Sequence, residues 1–137
     1  MSVNELVPGD LLKRQKSSVW HLGVYLGNDR VLHNCPAPSG GECITSFADF
    51  AKDALVYVQQ LDPQSRNEII QRARQIVVNP RPYSYLWRNC EHTFYEIVEG
   101  VPRSPTVKTL AYCAIAAGLS VLTYKYRKEI AQLVRHA

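Results

Sequence analysis

The run Val19 to Leu26 constrains this chain more than any other stretch. Trp20, Leu22, Val24 and Leu26 alternate with His21, Gly23 and Tyr25. A period of two over eight residues is the mark of a strand with two different faces. Gly27-Asn28-Asp29 is a turn, and Arg30 to Asn34 reads as the returning strand of a hairpin. If all three turn residues are loop, Leu26 pairs with Arg30 and Gly23 lies opposite His33. His21 and His33 then share a face as diagonal neighbours, with Cα atoms roughly 7–8 Å apart, and Gly23 leaves space between them. A two-residue loop, Asn28-Asp29, would put the two histidines on opposite faces. The three-residue loop is the expectation.

Around this hairpin the chain reads as a mixed α+β domain. A short apolar–polar stretch runs from Leu11 to Gln15, and Cys35 to Glu42 is a Pro/Gly-rich loop. A helix turn is expected over Ser46 to Lys52 and a strand over Leu55 to Gln60. Ser65-Arg66-Asn67-Glu68 has the form of a capping box, followed by Ile69, Ile70, Ala73, Ile76 and Val77 at helical spacing. Asn79-Pro80-Arg81-Pro82 stops that helix, and Tyr83 to Trp87 is extended or turn-like. A second helix starts after Asn89, a good N-cap, with Cys90 at its first position, and it ends at Gly100. Pro102 and Pro105 mark a domain edge.

Thr109 to Tyr124 follows without a charge. Sixteen residues of helix span about 24 Å, short of the ~30 Å hydrocarbon core, though Lys108 and Lys125 could snorkel. A membrane-embedded helix, an interfacial helix and a buried helix of the soluble domain all fit this segment. Charge favours the membrane. The net charge is +4, and Lys125, Arg127, Lys128 and Arg135 against Glu129 put most of it in the last 13 residues. A basic tail beside an apolar segment suits an anionic lipid surface. The nearly neutral body lacks the basic face of a nucleic-acid binder, so no nucleic-acid partner is expected. At 137 residues the chain is too short for a two-domain enzyme with its own nucleotide-binding half. The first 20 residues hold no apolar signal-peptide core. A reducing, cytoplasmic-side environment is therefore expected, where cysteines are packed or chemical rather than bridged.

Cys90 is the first candidate for chemistry. A thiol at a helix N-terminus faces free N–H groups and the positive end of the helix dipole, which favour the thiolate. His21 and His33 offer a base and a group to orient it, the general layout of a nucleophilic site. Against this, Cys90 also fits as a small core residue, and each histidine alone fits as a half-buried structural residue. His92 points about 200° away from Cys90 and is expected to brace the helix start. Cys35 and Cys43 could join His33 at a metal, but their C-x7-C spacing matches no common zinc pattern. With no Gly-rich phosphate loop and no H-E-x-x-H, no cofactor or metal is expected.

Val7-Pro8-Gly9-Asp10-Leu11, His21-Leu22-Gly23-Val24-Tyr25-Leu26-Gly27, Val31-Leu32-His33, Ile69-Ile70-Gln71-Arg72-Ala73 and Asn89-Cys90-Glu91-His92 together resemble the lecithin:retinol acyltransferase-like family. The small phospholipase A/acyltransferase branch related to the HRAS-like suppressors is the nearer match. The resemblance runs in order from about residue 5 to residue 128. It implies a circularly permuted papain-like fold, with a small antiparallel sheet carrying the histidines and a helix carrying the cysteine. By the same resemblance, Cys90 is the nucleophile that forms an acyl-thioester, His21 the general base and His33 the residue that orients His21. The implied activity is that of a phospholipase A1/A2 and acyltransferase on glycerophospholipid esters. The implied division is a catalytic domain over 1–106, a hydrophobic anchor helix over 107–128 and a basic tail over 129–137. The catalytic domain would lie on the cytoplasmic side of a membrane. A cysteine peptidase or amidase on the same scaffold, or a membrane-tethered module without catalysis, remains open on these residues. Two departures stand out. The segment between His33 and Cys90 is shorter than in the vertebrate members. Trp20 replaces a basic or polar residue, which leaves oxyanion or phosphate stabilisation to Arg88 or to backbone N–H groups.

Overall fold

The computed structural model describes residues 5–35 and 40–135, so part of the expected Pro/Gly-rich loop, 36–39, lies outside the described residues. The chain divides into two compact units, residues 1–104 and 105–137.

The first unit is α+β. Its strands are β1 (Leu11–Lys16), β2 (Val19–Gly27), β3 (Arg30–Cys35), β4 (Gly41–Ser46) and β5 (Val56–Gln59). They form one antiparallel sheet in the order β4-β3-β2-β1-β5. Helix α1 (Phe47–Ala51) follows β4, α2 (Pro63–Val78) follows β5, and α3 (Cys90–Glu99) follows the turn-rich 79–89 segment. The alternation of β2 sets two separate cores. Val24, with Leu11 and Leu32, packs on Ile69, Ala73 and Ile76 of α2 and Ile97 of α3. On the opposite face Tyr25, Leu12 and Val31 pack on Phe50 of α1.

The hairpin corrects one expectation while keeping its consequence. The β2–β3 loop is the two-residue one: Asn28 and Asp29 sit at φ +50 and +57, and Gly27 pairs with Arg30. The register shifts between Tyr25 and Gly27, so Leu26 is the extra residue of a bulge rather than the partner of Arg30. Gly27 takes φ +90 there, a conformation that suits glycine. The inserted residue restores parity, and Gly23 stands opposite His33. The space above Gly23 is also not empty. A Cβ built there would come within 2.8 Å of Phe50 Cε2; the missing side chain admits the Phe50 ring.

Helix α2 begins earlier than the Ser65 capping box implies. Asp62 is the N-cap, accepting from the N–H groups of Gln64 and Ser65, with Pro63 in the first turn. Asp-Pro is the stronger start because proline's missing N–H is one the helix would leave unpaired anyway. Strand β4 takes in Gly41 and Glu42, expected in the Pro/Gly-rich loop, and Ser46, expected in a helix turn, and closes one edge of the sheet against β3.

The second unit is the single helix α4 (Pro105–Arg135), 31 residues. Its segment Pro105–Arg127, 23 residues that include an 18-residue stretch with a mean hydropathy of 1.4, is long and apolar enough to cross a membrane. At 1.5 Å per residue it extends about 35 Å. The helix therefore runs past both ends of the charge-free stretch, and the 24 Å expectation falls short. Leu110, Tyr112, Ile115, Leu119, Val121 and Leu122 are all exposed.

Candidate active site

His21 and His33 meet on the Phe50 face of the sheet. His21 Nε2 lies 3.0 Å from His33 Nδ1, and the ring of Phe50 stacks on His21 with centroids 5.4 Å apart. His33 Nε2 is 2.9 Å from Thr45 Oγ1, and the Thr45 hydroxyl donates to Ser46 O at 3.2 Å. With the Thr45 hydroxyl assigned as donor to Ser46 O, the protons in the rest of the series follow. A Thr45 hydroxyl donating to a carbonyl offers His33 only a lone pair, so His33 Nε2 carries the hydrogen. His33 Nδ1 is then the acceptor, and His21 Nε2–H donates to it. His21 Nδ1 is left as an unprotonated nitrogen.

Cys90 approaches β2 from the end of α3. Asn89 caps that helix, its Oδ1 accepting from the N–H groups of Glu91 and His92 at 3.0 and 3.2 Å. Asn89 Nδ2 donates to Tyr85 O and Ser104 Oγ. His92 completes a capping box through its ring Nδ1, which is the bracing role expected for it. The β2–β3 ladder ends at Gly23 and His33, so the backbone of β2 beyond it is open on that edge. Cys90, half-buried, sits there, its thiol donating to Trp20 O at 3.8 Å. The Leu22 N–H faces the same sulfur. Thus the sulfur touches the residues on both sides of His21. Cys90 and His21 line one cavity of about 240 Å³, together with Val19, Trp20, Tyr83 and Tyr85.

The electrostatics differ from the sequence expectation. Burial raises the Cys90 thiol above its ordinary value, and Glu91 adds to the rise. The N–H groups of Leu22, Glu91 and Cys90 itself pull the other way without overcoming it. Desolvation therefore outweighs the helix N-terminus, and the resting sulfur is a thiol. Burial, then the neighbouring His33 and Arg14, lower His21 to about 3. Burial, then Arg14, lower His33 to about 4. At neutral pH both rings are uncharged.

Arg14 is the residue that sequence reasoning missed. It pairs with His21 across β1 and β2, is buried, donates through Nε to Phe50 O, and lies within electrostatic reach of Cys90. A Ser17-Ser18 turn, with Ser17 at φ +53, joins Lys16 to its partner Val19. Reading that turn as a hairpin would have placed Arg14 opposite His21.

Arg88 is not available for an oxyanion. Its Nε and Nη2 donate to Glu42 Oε1 at 3.0 and 2.6 Å, and it also pairs with Glu96. Glu42, buried in β4, accepts as well from Arg81 and from Thr93 of α3. This network fastens β4 and the 81–88 segment to the helix that carries Cys90.

Cys35 and Cys43 are joined in a disulfide, with Cα atoms 6.2 Å apart. The expectation of unbridged cysteines is corrected here. Pairing of β3 with β4 sets Cys43 opposite His33, two residues from Cys35, so the hairpin makes the two cysteines diagonal neighbours. Cys90 and Cys113 are free.

Residues 42–103 match the family model described as lecithin retinol acyltransferase. The chain is 29% identical over 140 residues to phospholipase A and acyltransferase 3 of Pongo abelii, covering 87% of this chain and 86% of that protein. It is 29% identical over 133 residues to human phospholipase A and acyltransferase 2, covering 81% and 82%. Against rat lecithin retinol acyltransferase it is 28% identical over 135 residues, and the match spans 75% of this chain but 58% of that protein.

Proposed function

Since residues 42–103 match the lecithin retinol acyltransferase family model, we propose that this chain is a membrane-associated, cysteine-dependent phospholipase A and acyltransferase acting on glycerophospholipid esters. The observation that supports this most is the hydrogen-bonded His21–His33 pair beside the cavity that His21 shares with Cys90. The fold is read as papain-like with the chain order permuted, since the histidine strands precede the cysteine helix.

In this reading the reaction is general-base catalysis rather than attack by a preformed ion pair, because the thiol and both imidazoles rest neutral. The S–H swings from Trp20 O to His21 Nδ1, which takes its proton as sulfur attacks the ester carbonyl. His33 accepts the His21 Nε2–H and steadies the imidazolium that forms, as the third member of such triads does. The Leu22 N–H, or the N–H groups at the start of α3, stabilise the oxyanion, and Arg14 favours negative charge on the reacting atoms. His21 then returns its proton to the leaving lysolipid oxygen. The acyl-thioester on Cys90 passes to water or to an amine or lysolipid acceptor. Tyr85, Leu86 and Trp87, all exposed on the segment leading into Cys90, suit a lipid–water interface. Helix α4 is assigned as the membrane anchor, behind a catalytic domain held on the cytoplasmic side.

The test is incubation with mixed-lipid vesicles followed by lipid mass spectrometry, wild type beside Cys90→Ala. The expected result is lysolipid with free fatty acid or acylated acceptor from the wild type alone. Equal turnover by Cys90→Ala, or turnover of peptide amides but not lipid esters, would overturn the proposal.

A further inference from the structure

The disulfide that the sequence did not predict lies against His33, and its position relative to that ring is unusual. Cys43 Sγ is 3.6 Å from His33 Nε2 and 3.9 Å from Nδ1. Cys35 Sγ is 3.9 Å from both. Two sulfurs nearly equidistant from both ring nitrogens lie off the directions along which Nδ1 meets His21 and Nε2 meets Thr45. The three potential ligand atoms lie within 4.8 Å of one another. With Zn–S near 2.3 Å and Zn–N near 2.0 Å, ligand atoms on a tetrahedral zinc stand about 3.5–3.8 Å apart. The sulfur–nitrogen separations already fall close to that range, so the sulfurs must part and a ring nitrogen must turn toward the metal.

We propose that Cys35, Cys43 and His33 form a redox-gated site for a thiophilic divalent cation of the zinc class. In the oxidised chain the sulfurs are bonded to each other and the site is closed. A dithiol reductant supplies two electrons and two protons, the S–S bond breaks, two thiols form, and the reductant closes to its own disulfide. Metal binding displaces the two thiol protons, giving two thiolate ligands and one neutral imidazole nitrogen, with water at the fourth position. His33 suits this role because an imidazole nitrogen beside two thiolates is an ordinary zinc donor set. Linear spacing hid the site: C-x7-C is no zinc motif, but the β3–β4 register brings its ends to one histidine.

The orientation of the ring gives the site a consequence. A metal binds imidazole along a ring-nitrogen lone pair, and both ring nitrogens of His33 already point at His21 and Thr45. His33 must therefore turn to reach the metal, and in turning it leaves His21, Thr45 or both. Metal occupancy and the hydrogen-bonded series from Thr45 to His21 exclude each other. Resting on the catalytic reading above, the bound metal is an inhibitor and reduction alone is not.

The test titrates the full-length protein with Co2+, a spectroscopic substitute for zinc, before and after treatment with a dithiol reductant and its removal. The reduced chain is expected to take up one Co2+ and show a thiolate-to-cobalt charge-transfer band, and the oxidised chain none. His33→Ala should weaken uptake at least about tenfold, and the Cys35→Ser/Cys43→Ser pair should abolish the band. No uptake by reduced wild type, or the same band with both serines in place, overturns the site. In parallel, Zn2+ should suppress lipid turnover by the reduced chain and leave the oxidised chain unaffected. Undiminished turnover at metal saturation overturns the inhibitory role. A chain inert toward lipid in every state counts against the catalytic reading, while the cobalt band still decides the site.

Discussion

Thr45 illustrates how much one side chain can decide. Its hydroxyl touches neither the Cys90 cavity nor His21, yet when it donates to Ser46 O it sets which His33 nitrogen carries hydrogen and so which His21 nitrogen is free. Thr45→Val keeps the shape and removes the acceptor. One lost hydrogen bond of about 1 kcal/mol corresponds to roughly fivefold in rate. The expected outcome is a kcat lowered by about that factor at unchanged KM, recovered in Thr45→Ser. A change in KM alone would show that Thr45 acts on lipid binding. Nothing in the sequence around Thr45 marks it, because its importance exists only once β4 is paired with β3. Cys90 and the histidines could be singled out from the sequence because their residue types are suited to so few tasks. The state of the thiol was not: the helix start was visible, but the desolvation that outweighs it depends on what packs over the sulfur.

At the level of elements, the strongest patterns read correctly and the weakest did not. The alternation of β2 and the Asn89 and Gly100 ends of α3 were legible because period and cap are local. The parity of the hairpin came out right for a different reason than expected, since a bulge replaced the third loop residue. Strand β4 and the Glu42 network were invisible, because a short strand of mixed polarity declares itself only through its partner. That network nonetheless joins the packing of Ile97 in holding α3 to the sheet. Glu42→Gln leaves the buried Arg88 without its carboxylate, and breaking a buried pair in this way costs about 3–5 kcal/mol. Chemical denaturation should report a loss of that size, with thiol chemistry at Cys90 falling as α3 loosens. A loss under 1 kcal/mol would mean that Glu96 alone satisfies Arg88.

For the whole molecule, the buried neutral histidines make stability depend on acid. Each has a folded pKa below its unfolded value near 6.5, with His21 at about 3 and His33 at about 4. Above pH 6.5 neither state binds protons at these sites, and their neutrality carries no penalty. As pH falls below 6.5 the unfolded chain takes up protons that the folded chain refuses, so stability declines until the folded pKa values are reached. Thermal melts should therefore fall between about pH 6.5 and pH 4, and His33→Gln should flatten that decline. An unchanged slope would show that the rings are protonated in the fold.

Removal of residues 105–137 tests the anchor assignment. A chain ending at Ser104 should shift from the membrane fraction to the supernatant while its Cys90 remains alkylatable. Equal membrane association would assign the attachment to the first unit, where Tyr85 and Trp87 are exposed.

Intact-protein mass spectrometry after brief mixing with phosphatidylcholine vesicles and an acid quench tests the central claim most directly. The account predicts a mass increase of one fatty acyl group, mapped to Cys90, removed by hydroxylamine and absent from Cys90→Ala. Lysolipid accumulating with no acyl group on Cys90, or an acyl group carried only by Cys113, would contradict it.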